Sequence, residues 1–142
     1  MKLTKEKLFP YLPYNVMIYY IGEGRPFRGT KKKEILTCKN MKLMLFSNQR
    51  KIALKPLSDL TKEIEVNGEK FVPHNRTQVG MTMPFYQNNI GIIENRIQTN
   101  TITYSDMIYL ISLHFDVFGL IKEGLAIDIN TLLNKDTYYE SL

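Results

Sequence analysis

The sequence predicts an α+β fold in a single domain over 1–142, a small antiparallel sheet packed on a long C-terminal amphipathic helix. Two patterns and one bound predict it. Between Thr103 and Asn130 the polar positions Ser105, Tyr109, Ser112, Asp116, Gly119 and Glu123 recur at alternating steps of four and three, the return period of one helix face. Tyr14 to Tyr20 instead alternates two faces, Tyr14, Val16, Ile18 and Tyr20 against Asn15, Met17 and Tyr19, with the β-branched and aromatic content of a strand. With 142 residues, 44% of them hydrophobic, the chain can bury one real core and is too short for two comfortable ones.

The elements follow in order. Thr4 to Phe9 predicts a short helix capped by Thr4 and stopped by Pro10, with Leu8 and Phe9 facing inward, after which Pro13 commits the backbone to an extended path. The strand over Tyr14–Tyr20 comes next. Gly22 to Gly29 is a turn-rich loop, and Lys31-Lys32-Lys33 leads into a second strand around Glu34–Cys38. Lys42 to Phe46 alternates and Ile52 to Leu54 closes an antiparallel meander, although Met41 and Leu45 also satisfy a helical spacing over Cys38–Phe46. Ser58 is the expected N-cap of a short helix with Asp59 in its first turn and Leu57, Leu60 and Ile64 on one edge. Asn67-Gly68 either caps that helix or turns a hairpin into Lys70–Val72, which Pro73 stops.

From His74 to Thr101 the composition shifts to Asn, Gln, Thr, Gly and Met, and a loop that long inside a compact domain is expected to hold a small element or to be ordered by a partner. The long helix then spans about 20 residues, or roughly 30 Å at 1.5 Å per residue. Thr103 with Asp106 resembles a capping box at its start, and Gly124 suits the left-handed residue at its end. Leu125–Ile129 reads as a brief strand or a further turn of helix, and Tyr138–Leu142 is expected to fray.

Charge is divided unevenly. Residues 1–55 carry 13 Lys or Arg against Glu6, Glu23 and Glu34, a balance of +10, whereas residues 56–142 carry six bases against 11 acids, a balance of −5. Such asymmetry points to an anionic partner for the N-terminal half, or else to a solvated basic face docked partly on the chain's own acidic half. The lone Cys38 excludes an internal disulfide framework and suits a reducing cytoplasm. No signal peptide is predicted, because the N-terminus is charged and runs into Pro10 and Pro13. No run approaches a membrane span of ~18 apolar residues.

Few residues suggest catalysis. His114 lies among Leu110, Ile111, Phe118 and Ile121 and reads as a buried, hydrogen-bonded core histidine, while His74 is a loop residue with no second histidine near it. A metal-dependent nuclease would need clustered His, Asp or Glu, and no such spacing occurs, so no catalytic residue, metal or cofactor is expected. Cys38 reads as core beside Leu36. Glycines 22, 24 and 29 miss the third position of a dinucleotide loop, which falls on Phe27, and Asp128 with Asn130 begins like a calcium loop without its glycine or closing Glu.

A basic and aromatic combination remains. Arg25, Arg28, Lys31, Lys32 and Lys33 cluster on one loop, Tyr19 and Tyr20 precede it, and Lys39, Lys42, Arg50 and Lys51 follow on neighbouring turns. Cationic groups neutralise phosphates and tyrosines stack on unpaired bases, so these residues are the predicted polyanion or partner surface. Lysines that merely protect sheet edges are the competing reading.

Lys55-Pro56-Leu57-Ser58-Asp59-Leu60-Thr61-Lys62-Glu63-Ile64, followed by Asn67-Gly68-Glu69-Lys70-Phe71-Val72-Pro73, is similar to a signature of short uncharacterised accessory proteins of bacteriophages and prophages. His114-Phe115-Asp116-Val117-Phe118-Gly119-Leu120-Ile121 and Gly124-Leu125-Ala126-Ile127-Asp128-Ile129-Asn130 resemble the C-terminal segment of the same group, the whole covering about a quarter of the chain. The resemblance implies no specific activity. It implies a non-enzymatic, stoichiometric inhibitor, cytoplasmic in a bacterial host, that binds a nucleoprotein machine such as an RNA-guided defence nuclease or its guide RNA, as anti-CRISPR proteins do. A phage structural or assembly protein is the alternative, and a small nuclease using His74 or His114 the third.

Overall fold

Val16 and Ile18 are buried while Met17 and Tyr19 are half-exposed, the alternation of a strand with one packed face. In the computed structural model, which describes residues 3–20, 33–46, 50–82 and 89–131, that strand is β1, Met17–Tyr20. It is central. β2 (Lys33–Ile35) and β3 (Arg50–Leu54) flank it, both antiparallel to it, and β6 (Ala126–Asp128) adds to the far side of β3 in parallel. A separate hairpin pairs β4 (Ile64–Val66) with β5 (Glu69–Phe71) through Asn67 (φ 53°) and Gly68 (φ 83°), the left-handed pair that a tight hairpin turn requires.

Several expectations change here. The segment between β2 and β3 is not a strand but helix α2 (Cys38–Phe46), which crosses over β1 because β2 and β3 run the same way on either side of it. Its start is fixed by a reciprocal bond: Thr37 N donates to Asn40 Oδ1 and Asn40 N to Thr37 Oγ1. At the N-terminus, α1 (Lys5–Leu8) runs on into a 3₁₀ helix, Phe9–Tyr14, that accommodates both prolines, so Phe9 turns out to solvent and Tyr11 becomes the buried ring. Thr4 occupies the N-cap position without a side-chain cap bond. Ser58 sits within the 3₁₀ helix Leu57–Thr61, whose N-cap position is Pro56.

The largest correction concerns the C-terminus. Helix α5 covers only Tyr104–Ser112; it begins as expected, with Thr103 Oγ1 accepting from Asp106 N at 3.2 Å. It ends where nonlocal partners outbid the helical period. His114 adopts φ 69°, Lys55 N donates to His114 O (2.8 Å), Asp116 N donates to Lys55 O (2.9 Å), and the Lys55 ammonium caps Leu113 O (2.8 Å). Beyond this bridge, Asp116 accepts from Leu120 N and Ile121 N, so a residue expected on the wet stripe is buried as the cap of an irregular turn. Positive φ at Gly119 and Gly124 completes a path that no helix follows.

The 74–101 stretch holds the expected small elements: a 3₁₀ helix at Pro73–Arg76, α3 (Gln78–Thr82) and α4 (Asn89–Gln98). Asp106 crosses from α5 to bind Gln78 N with both oxygens, so its carboxylate caps α3 instead of completing a capping box on its own helix. Gly80 in α3 has no room for a side chain, since a Cβ there would lie 1.9 Å from the His74 carbonyl oxygen.

One core joins these parts. The inward residues of the sheet, Val16, Ile18, Ile52, Leu54 and Ala126, pack with Leu8, Tyr11, Met41, Met44, Val79, Ile93, Leu110 and Phe115. That cluster lies on the face of the sheet that carries Ile18 and Ile52, while Ala53, on the other face of β3, is also buried.

Candidate polyanion-binding face

Period two along each strand puts Met17 and Tyr19 of β1 on the outer face, opposite in phase to Ile18. Register then decides who stands beside them. Tyr19 pairs with Lys33 on one side and Lys51 on the other, and Met17 pairs with Ile35, which is 46% exposed. Directly paired residues of antiparallel strands have Cα atoms ~4.5–5.5 Å apart, so Lys51 and Tyr19 occupy side-by-side positions on this face. Both residues are half-exposed.

The other predicted residues distribute as follows. Tyr20 pairs with Arg50 in the next register position, at the same end of the sheet. Lys39 and Lys42 are exposed on α2, whose buried Met41 and Met44 join the core on the opposite side of the sheet from Tyr19. Arg25, Arg28, Lys31 and Lys32 lie outside the described residues; their segment is bounded by Tyr20 and Lys33, which belong to the Tyr19 end of the sheet. Tyr19 and Arg50 each make an interaction within the protein. Among the described residues no carboxylate pairs with Lys39, Lys42 or Lys51, while Asp59 takes Lys62 and Glu69 takes Arg76.

Cys38 is exposed at the start of α2 and not in the core. His114 is half-buried, with Nε2 2.5 Å from Tyr14 O; a carbonyl only accepts, so Nε2 carries the proton. Burial pushes its pKa below the usual 6.5, against the pull of that carbonyl and with the help of Lys55, so the ring is neutral at pH 7. His74 is buried, its Nδ1 3.1 Å from Asn75 Oδ1. Asp128 and Asn130 serve the chain itself: Asn130 N donates to Asp128 Oδ1, and its amide donates to Asp59 Oδ2 at 2.8 Å. No group of three or more metal-ligating side chains occurs among the described residues, and none of their helices is long and apolar enough to cross a membrane.

Sequence reasoning missed a second assembly, a latch centred on Lys55. Its ammonium, besides capping Leu113 O, lies 5.6 Å from the centre of the Phe115 ring; burial lowers its pKa, and Asp59 opposes that shift. Tyr11 completes the latch from the N-terminus, donating to Phe115 O (2.6 Å) and accepting from Val117 N (3.3 Å), and burial raises its hydroxyl pKa strongly. Beside it, Pro56, Leu57, Ile97, Phe118 and Ile121 line an open cleft of about 580 Å³, with Glu94 and Lys122 also in its wall. The segment that starts at Lys55 and the segment from His114 to Asn130 thus meet in space: Lys55 bridges Phe115, and Asn130 binds Asp59. Only the lone lysine before Pro56, followed by an Asp, hinted at this.

No protein-family model, curated protein or solved structure matches the chain.

Proposed function

We propose that the protein is a non-enzymatic accessory protein of a phage or prophage that binds a host nucleoprotein machine, such as an RNA-guided defence nuclease, and blocks it through the basic N-terminal surface. The observation that carries this reading is Lys51 on the outer sheet face, beside Tyr19 and without an acidic partner among the described residues. An ammonium that no described carboxylate neutralises is available to an external phosphate. The excess of +10 over residues 1–55 supports it, and so does the placement of Tyr20 and Lys33, which bound the Arg25–Lys32 segment, at this end of the sheet.

The test is retention of the host complex by the immobilised protein, with and without nuclease treatment, across a salt series. Binding through phosphates weakens with a log–log slope of roughly −0.7 per phosphate contacted on a single strand. A flat salt response removes the electrostatic mode of action. The exposure of Ile35 on edge strand β2 favours one competitor, a structural protein that self-associates along the sheet, and light scattering that shows a large ordered oligomer would install it.

A further inference from the structure

Every residue that lines the cleft beside the latch falls within 56–142, the part of the chain with a balance of −5, so the basic residues of 1–55 take no part in it. Its floor is apolar. Leu57, Ile97, Phe118 and Ile121 come from three separate segments and pack against the shared core while each stays half-exposed. The Phe118 ring meets the Tyr11 ring edge-on, centroids 6.2 Å apart and planes at 83°, and Tyr11 is fixed in turn by its bonds to Phe115 O and Val117 N. A floor held in that way is formed before anything binds, and its apolar surface is left for an occupant.

The walls indicate the chemistry of that occupant. Glu94 on α4 and Lys122 next to Ile121 are exposed, and neither makes an ion pair or hydrogen bond with the other or with any other described residue. Asp116, the third charge in the lining, is already engaged by Leu120 N and Ile121 N. A nucleic acid would bring phosphates against Glu94, and a fatty acid would leave one of the two wall charges unanswered. A polypeptide can answer both, because it can carry a base and an acid on either side of an apolar anchor. The volume of about 580 Å³ also falls within the ~300–1,000 Å³ of ligand clefts.

We infer that this cleft is a docking site for a peptide segment of a partner protein, its large apolar side chains seated on Phe118 and Ile97, a flanking base meeting Glu94 and a flanking acid meeting Lys122. The site is independent of the polyanion surface and stands whether or not that surface binds phosphates.

Panning a displayed library of random linear peptides on the immobilised full chain tests the inference, with the enriched peptides then titrated by fluorescence anisotropy. Enrichment is expected for sequences that carry Leu, Ile, Phe or Met with a base on one side and an acid on the other. The double reversal of Glu94→Lys and Lys122→Glu, at exposed positions outside the core, is expected to select the opposite order of charges and to weaken the original peptides roughly 1.5- to 5-fold per charge. Phe118→Ala is expected to weaken them by about 30-fold or more, the worth of a central anchor. Ile97→Ala, on α4, is expected to weaken them as well and carries the test if Phe118→Ala does not keep its melting transition. No enrichment over an uncoated surface, or enriched peptides that ignore both the charge reversal and Ile97→Ala, overturns the docking site. Enrichment of sequences that match residues 132–136 of this chain, Leu-Leu-Asn-Lys-Asp, gives the cleft to the chain's own segment or to a second copy and overturns the partner protein.

Discussion

The Lys55 latch and the outer face of the sheet use the same chemistry to opposite ends. At the latch an ammonium is half-buried, hydrogen-bonded to Leu113 O and set over Phe115, while Asp116, Asp59 and Tyr11 bond to backbone or amide groups that would otherwise lack partners. On the outer face Lys51 has an aromatic neighbour and no acid among the described residues. A charge surrounded by its own chain's acceptors holds a fold together. A charge left without them is available to something else.

Substitutions can break that contrast, and their effects are expected to fall in a definite order. Phe115→Ala, at a side chain with no exposed surface in the middle of the latch, should lower unfolding free energy by about 3–5 kcal/mol in a denaturant titration. Tyr11→Phe keeps the ring but leaves Phe115 O and Val117 N without their buried partner, for an expected loss of about 1–3 kcal/mol. Lowered pH should loosen the same region more gently. The folded state holds the His114 pKa below its usual 6.5, so the unfolded chain binds more protons just under that value, and stability should fall as pH drops through 6.5 and onward to the depressed folded value. Replacing His114 with Gln should flatten that part of the pH–stability curve. Smallest of all, Lys51→Gln should change the melting temperature little and reduce the salt slope of nucleic-acid binding by about 0.7. If Lys51→Gln destabilised the protein as strongly as Tyr11→Phe, the contrast between the two regions would fail.

What the sequence revealed and what it concealed divide along the same line. Local signals read correctly: the alternation of Val16 and Ile18 against Met17 and Tyr19, the Asn67-Gly68 turn, and Thr103 as a helix cap all depend on residues a few positions apart. The long C-terminal helix was misread because Asp116, Gly119 and Glu123 keep helical spacing while Lys55, far away in sequence, takes the hydrogen bonds that would have continued α5. Met41 and Leu45 carried the true signal for α2, yet the alternation of Lys42–Phe46 competed with it over so short a run. In the candidate site, the residue types were legible and their adjacency was not. That Lys51 rather than Lys39 or Lys42 stands beside Tyr19 is a matter of strand register, which only the assembled sheet determines.

The parallel pairing of Ile52 with Ala126 also sets a schedule for synthesis. The ribosome delivers the strongly cationic N-terminal part of the chain long before β6 exists, so β3 waits with an unpaired edge until Ala126–Asp128 has emerged. Contacts that distant in sequence close slowly, and the helices and hairpin between β3 and β6 must be made before this sheet can acquire its fourth strand.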